Sequence, residues 1–165
     1  ERNLAAEAST EVSINTKIFD GSTLIGPGDG SIAIDPADPT TYNSSQTLSL
    51  FDDAGEPYTV TVFYQKIADG ATQDDYRVAM YTDVTAAPTN TFNVSFDADG
   101  VAIAAVPDQV VPASPVDGRT EDLTISFNLQ THTKPFEIVD QTIDGSPEGK
   151  LVNINIASSM FIFFM

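Results

Sequence analysis

Residues 58–66 read YTVTVFYQK, and this stretch decides the fold class. From residue 58 to residue 64 every second position carries a valine or tyrosine side chain, and threonine stands between the first three of them. A period of two is the repeat of a β-strand, because successive side chains of a strand point to opposite faces. The stretch therefore predicts a half-buried strand whose core face consists of Tyr58, Val60, Val62 and Tyr64.

The same alternation recurs along the chain, and helical periodicity hardly appears. Ten glycines and ten prolines fall mostly between the alternating runs, where they favour turns. The other predicted strands are Thr47–Phe51, Tyr76–Thr82, Thr91–Phe96, Val101–Ala105, Leu123–Leu129, Phe136–Thr142 and Leu151–Ile156. This pattern predicts an all-β fold, an antiparallel β-sandwich or barrel with long Pro/Gly-rich loops. The proline-rich piece Val106–Arg119 cannot be a central strand, and we expect it to be a long surface loop.

Residues 94–101, VSFDADGV, allow two interpretations. Two aspartates beside a glycine suit a calcium loop, because calcium prefers carboxylate oxygens. An EF-hand loop also needs a glutamate at its twelfth position, where this chain has Val106. The alternative, a hairpin turn from Asp97 to Gly100, fits the alternating residues on both sides. The pattern F-D-x-x-G recurs at residues 51–55 and predicts a second turn of the same kind.

Composition excludes several function classes. The 165 residues suggest one domain, and the formal charge is −17, from 7 basic and 24 acidic residues. Such a field repels nucleic acids and anionic lipid surfaces. No stretch approaches the length of a membrane helix, and nothing resembles a signal peptide. The chain has no cysteine. Because it begins at Glu1 and not at a methionine, we expect an excised piece or a processed form.

Residue patterns that indicate catalysis are nearly absent. His132 is the single histidine, and we expect it to be an exposed loop residue. The neighbouring carboxylates Asp52 with Asp53, and Asp74 with Asp75, are better explained by turns than by acid catalysis, since neighbours on a strand point to opposite faces. The sequence therefore predicts a protein that is not an enzyme, with no catalytic residue, cofactor or metal site.

The order of the motifs resembles the middle domain of the bacterial flagellar hook protein. In that family a D-P…Y-N segment precedes a strand, an aromatic-Asp-x-x-Gly turn, a Thr/Val-rich strand and a lysine. Here residues 35–43 and 47–66 follow this order. The F-D-x-x-G turn at residues 96–100, the strand at 123–127 and the segments Asp144-Gly145 and Gly149-Lys150-Leu151 continue it. The segment Val12–Ile34 reads as an insertion into this pattern.

The resemblance implies a structural protein, exported through the flagellum and assembled with neighbouring hook subunits into an extracellular helical tube that joins rod to filament. It divides the chain into a lead-in segment (1–9), a hook-like middle β domain (10–156) and an apolar C-terminal tail of uncertain origin (157–165). Residues 106–119 are a candidate contact with a neighbour. The helical ends of the family are missing from this chain, so we expect it to be monomeric or weakly associating.

One alternative remains from another class: a β-sandwich binding module of the adhesin or phage tail type, which recognises a ligand through its loops. A concave patch lined by aromatic side chains would favour that alternative. The tail adds a separate expectation, because residues 160–165 are six consecutive large apolar residues without charge or proline. Such a segment promotes edge-to-edge strand pairing, so it has to be buried.

Overall fold

The structure, a computed structural model, describes residues 2–83, 87–147 and 149–151. In these ranges the chain is almost entirely β, and its only helical pieces are two three-residue 3-10 turns. The strands are β1 (Arg2–Leu4), β2 (Glu11–Phe19), β3 (Ser44–Phe51), β4 (Pro57–Asp69), β5 (Gln73–Thr82), β6 (Asn90–Asp97), β7 (Gln109–Val111), β8 (Leu123–His132), β9 (Glu137–Ile143) and β10 (Gly149–Leu151).

Two four-stranded sheets form a sandwich, which confirms the predicted fold class. The first sheet has the order β3-β4-β5-β6 and is antiparallel throughout. The second sheet has the order β7-β8-β2-β9, and its central pair β2 and β8 is parallel. A separate ribbon of β1 and β10 stands outside the two sheets. Because β2 lies between β8 and β9, the connection 133–136 crosses the end of β2.

The core lies between the sheets and is built from the alternating positions. Tyr58, Val60, Val62 and Tyr64 of β4 are all buried, as predicted. Facing them from β8 are Leu123, Ile125, Phe127 and Leu129, which are also buried. Fully burying a side chain of this size contributes about 1.5 to 3 kcal/mol, so the two alternating rows are a main source of stability.

The outer face of the first sheet is covered by the long connection between β2 and β3, residues 20–43. Phe63 and Tyr81 pack beneath it in a small apolar cluster with Ile34. Gln65 is fully buried and donates hydrogen bonds from its amide nitrogen to the carbonyl oxygens of Ile32 and Thr41. Strand β4 is therefore buried on both faces along part of its length.

One predicted strand is wrong, and one predicted loop contains a short edge strand. Val101 pairs with Gln130 of β8, while Ala102 pairs with Phe96 of β6. The chain passes from one sheet to the other here, so it forms two isolated bridges and not the predicted strand Val101–Ala105. The predicted loop 106–119 contains β7, which is an edge strand and so agrees with the exclusion of a central strand.

The segment Val12–Ile34, interpreted as an insertion, is an integral part of the sandwich. Its first part is β2, the strand that pairs with both β8 and β9. Its alternation, with Val12, Ile14 and Ile18 buried, is typical of a half-buried strand. The predicted strand Leu151–Ile156 is described only at Leu151, and the apolar tail 157–165 lies outside the described residues.

Candidate interaction surfaces

The two F-D-x-x-G segments form the same turn. In the first, one carboxylate oxygen of Asp52 accepts hydrogen bonds from the backbone N–H groups of Ala54 and Glu56, both at 2.9 Å. In the second, Asp97 accepts from Asp99 at 2.9 Å and from Val101 at 3.0 Å. These bonds confirm the hairpin interpretation, because the aspartate side chain closes the turn from residue 97 to residue 101.

Glycine is required at the end of both turns. Gly55 and Gly100 have the same φ of 83°, a left-handed conformation that favours glycine. The second turn also touches the other sheet, since Thr131 donates its N–H to the carbonyl oxygen of Gly100 at 3.0 Å. A Cβ atom on Gly100 would lie 2.2 Å from the carbonyl oxygen of Thr131, so no larger residue fits without a shift of the backbone.

The remaining candidates for catalysis have structural contacts. His132 is the last residue of β8, is half-buried and hydrogen bonds through Nε2 to the carbonyl oxygen of Pro135, so the prediction of an exposed loop residue was wrong. Asp53 binds the hydroxyl and N–H of Thr120. Asp74 and Asp75 lie in β5 and not in a turn.

The side chain of Asp74 takes part in an ion-pair cluster around the buried ammonium group of Lys66. Lys66 is 1% exposed, and its Nζ atom donates to the carbonyl oxygen of Asp20 at 2.6 Å. The same atom lies 3.2 Å from a carboxylate oxygen of Asp69 and 3.4 Å from one of Asp74. A buried ammonium group is tolerated only when it is paired in this way. The cluster fastens the start of the 20–43 connection to the first sheet.

Asp144 connects the end of β9 to the start of β2. Its carboxylate accepts hydrogen bonds from the N–H groups of Thr10 at 2.7 Å and Glu11 at 2.9 Å, and from the Thr10 hydroxyl at 2.8 Å. Desolvation opposes ionisation of this carboxyl, but the hydrogen bonds from Glu11 and Thr10 outweigh it and hold the pKa of Asp144 below its usual value.

The candidate contact 106–119 is more ordered than a free loop. Arg119 is 3% exposed and donates to the carbonyl oxygens of Val111 at 3.3 Å and Pro112 at 2.8 Å. Its guanidinium group also lies over the ring of Tyr58, 5.5 Å from the centroid. Within the segment, Val116 is 80% exposed, which is the highest exposure among the large apolar side chains of the described residues.

The outer face of the second sheet has no cover comparable to the 20–43 connection. Because paired positions share a face, β2 and β8 present two neighbouring columns of side chains to solvent. These columns are Glu11, Ser13, Asn15, Lys17 and Phe19 on β2, and Thr124, Ser126, Asn128, Gln130 and His132 on β8. Asp140 and Glu137 of β9 stand opposite Asn15 and Lys17 on the same face. This surface was not predicted from the sequence, because β2 and β8 lie more than a hundred residues apart along the chain.

A groove borders this face. Residues 101–106 leave the sheet and form, with β8, a cavity of about 390 Å³. Val101, which lines it, is 52% exposed. Phe63 and Tyr81 line a second cleft, of about 280 Å³, but both rings are largely buried. An open aromatic patch of the kind expected for a binding module is therefore not formed there.

The described residues contain no helix that is long and apolar enough to cross a membrane. Nor do they contain a group of three or more histidine or acidic side chains placed to hold a metal ion.

Comparisons with known proteins link the sandwich to a flagellar family. Residues 9–146 match the family model of the flagellar basal body protein FlaE D2 domain. No curated protein sequence matches the chain. Among solved structures, the crystal structure of the Helicobacter pylori flagellar hook protein FlgE2 is similar at 16% identity with a TM-score of 0.48. That similarity covers 64% of this chain and 25% of the Helicobacter pylori chain.

Proposed function

Because the chain belongs to the family of the flagellar basal body protein FlaE D2 domain, we propose that it is a structural domain of the bacterial flagellar hook. It forms part of the outer layer of the helical tube that joins rod to filament, outside the cell. The observation that carries this proposal is the span of the family match, residues 9–146, which includes every strand from β2 to β9.

The construction of the domain suits a mechanical role. Nineteen buried side chains from both sheets form one core cluster, and turns closed by aspartate side chains fix the ends of the strands. Such a body transmits load without unfolding locally, since its cohesion comes from packing between the layers. The proposed partners are neighbouring hook subunits, and the proposed role involves no catalysis.

A domain exchange tests this function. In a flagellated host, residues 9–146 replace the corresponding domain of the host hook protein, and hooks are counted by electron microscopy. The matched control carries an unrelated β-sandwich of similar size at the same place. We expect hooks of normal length and swimming cells with the exchange, and defective hooks with the control.

Antibodies against the exchanged domain supply a second readout, because they should label the outside of intact hooks. Unlabelled hooks, or an exchange that performs no better than the unrelated sandwich, would contradict the proposed function.

A further inference from the structure

Strand β3 forms one edge of the first sheet, and its outer side is open among the described residues. Its even-numbered residues bond to β4, since the same ladder continues to Asp52, which donates its N–H to the carbonyl oxygen of Glu56 at 3.0 Å. Successive residues of a strand bond to opposite sides, so the odd-numbered residues point away from β4. In agreement, the carbonyl oxygen of Phe51 accepts from Ser9 at 2.9 Å. Three residues with exposed side chains thereby keep backbone N–H and C=O groups without a partner in the described part of the chain: Ser45, Thr47 and Ser49.

The other edges of the two sheets carry features that oppose pairing with a further strand. Strand β9 has a bulge and carries Glu137 and Asp140. Strand β7 is only three residues long, and the outer side of β6 bonds near its end to residues 101–103. Strand β3 has none of these features, because its eight residues pair with β4 without a register shift and include no charged residue, proline or glycine. An edge of this kind is a template for an added strand.

Residues 152–165, VNINIASSMFIFFM, have the composition of a segment that needs such an edge. They include no charged residue, no proline and no glycine, and the last six are all large and apolar. In solvent this composition promotes strand pairing between different chains. Pairing with an edge of the same chain removes that hazard, because the backbone groups and the apolar side chains of the segment are then covered.

The described chain leaves the sandwich beside one end of β3. Ser9 joins the two places, since its hydroxyl donates to the carbonyl oxygen of Asp144 at 2.9 Å and its N–H donates to Phe51, the last residue of β3. From there the chain runs outward along the ribbon of β1 and β10 to Leu151. A segment that turns back from Leu151 reaches β3 at Phe51 and runs antiparallel to it. The way back from Leu151 to Ser146 takes about 17 Å and β3 about 26 Å, whereas fourteen extended residues span about 46 Å.

We propose that residues 157–165 add to β3 as an antiparallel strand of the same chain and extend the first sheet to five strands. The N–H groups of the three odd-numbered residues donate to carbonyl oxygens of the added strand. One face of this strand meets Ile138 and Ile143, because β9 lies next to β3 across the sandwich, where the amide nitrogen of Gln46 donates to the amide oxygen of Gln141 at 3.3 Å. Ile138 is 44% exposed among the described residues and becomes covered. The inference concerns this chain alone and does not rest on the proposed function.

Amide hydrogen exchange of the whole 165-residue chain, followed by NMR, tests the pairing. The amides of Ser45, Thr47 and Ser49 should exchange at least about tenfold more slowly than those of an unstructured peptide, the factor that an opening free energy of about 1.4 kcal/mol gives. The even-numbered amides of β3 are bonded to β4 and serve as internal controls that should be slow in every variant. Slow exchange at both sets of amides is the result expected for a strand that is paired on both sides.

A double substitution shows whether residues 157–165 cover the edge. Phe161→Pro with Phe164→Pro removes the N–H at one odd and one even position, so it disrupts an added strand in either register. The matched control is Phe161→Leu with Phe164→Leu, which keeps both N–H groups and both apolar side chains. The odd-numbered amides of β3 should exchange rapidly in the proline variant and slowly in the leucine control. Slow even-numbered amides in both variants show that the sandwich is folded.

Dilution separates pairing within the chain from pairing between two chains, because only the second depends on protein concentration. Three results would overturn the inference. They are rapid exchange of the odd-numbered amides in the unchanged chain, equal protection in the proline variant, and protection that is lost on dilution. The last result would assign the edge to a second copy of the chain. The domain exchange carries residues 9–146 only, so the proposed function stands or fails independently of this pairing.

Discussion

Single residues determine how the strands of this sandwich turn and join. An aspartate and a glycine three positions later close both F-D-x-x-G turns, and one of these glycines also touches the opposite sheet. A buried amide has a comparable effect inside the sandwich. Gln46 is 3% exposed, and its Oε1 atom accepts hydrogen bonds from Thr16 at 2.7 Å and Tyr64 at 2.8 Å. It thereby links β3 to strands in both sheets.

The two F-D-x-x-G turns allow the same glycine substitution to be compared at two positions. Gly55→Ala places a Cβ atom at a φ of 83°, which costs about 1 kcal/mol. Gly100→Ala meets the same strain and also the carbonyl oxygen of Thr131, so it should cost about 1 to 3 kcal/mol more. Urea unfolding of both variants measures the difference. Equal losses of stability would show that the contact between Gly100 and Thr131 is not tight.

Removing the side-chain amide of Gln46 while its hydrogen-bond partners remain should lower the stability of the domain. Gln46→Leu takes away the acceptor of two buried hydroxyl groups and should lower the free energy of unfolding by about 1 to 3 kcal/mol. The triple variant Gln46→Leu, Thr16→Val, Tyr64→Phe removes the donors as well, so it should be more stable than the single variant. Urea titration compares them, and a triple variant that is less stable than Gln46→Leu would refute this account.

Among the elements, β2 integrates the second sheet. It pairs with β8 over nine residues from Glu11 to Phe19, and on its other side it pairs with the edge strand β9. Most side chains of β9 are exposed, so packing holds this strand weakly. The hydrogen bonds from Thr10 and Glu11 to the Asp144 carboxylate therefore contribute more to holding β9 in the sheet than their exposure to solvent suggests.

The link at Asp144 should depend on pH. Its folded pKa is lowered, so ionised Asp144 contributes stability above the unfolded value of 3.8, and this stability is lost as pH falls through the folded pKa. Asp144→Ala should lower the free energy of unfolding by about 1 kcal/mol near pH 6, since solvent screens an exposed carboxylate. The difference between the two chains should vanish near pH 2. Urea unfolding at both pH values measures it, and a difference that persists in acid would exclude the carboxylate as its source.

At the scale of the whole molecule, charge sets how the sandwich behaves in solution. The net charge of −17 opposes compaction, because most of the acidic residues lie in turns and loops around a single core.

Salt should therefore stabilise the domain. At 0.1 M the screening length falls to about 10 Å, so repulsion between separate acidic turns weakens. The urea midpoint at pH 7 should rise between 10 mM and 500 mM sodium chloride. The rise should nearly disappear close to the isoelectric point of about 4.1, where the net charge is small. A salt effect of equal size at both pH values would indicate ion exclusion and not screening.

The sequence by itself determined the strands with strict alternation, the two aspartate turns and the family. The turns are closed by hydrogen bonds between residues no more than four positions apart, so a short local motif contains the information. The same locality explains the correct core faces of β4 and β8. The alternation of side chains within one strand does not depend on its neighbours.

Only the tertiary structure decided where β2 lies and what covers Phe63 and Gln65. Strand β2 pairs with segments more than a hundred residues away, and Ser9 bonds to Asp144 across 135 positions. Such pairings depend on the free energy of contacts between distant segments. A local sequence pattern does not show which distant segment will be the partner. The cover over Phe63 and Gln65 has the same physical origin, because residues 32–41 reach these side chains only once the sheet has formed.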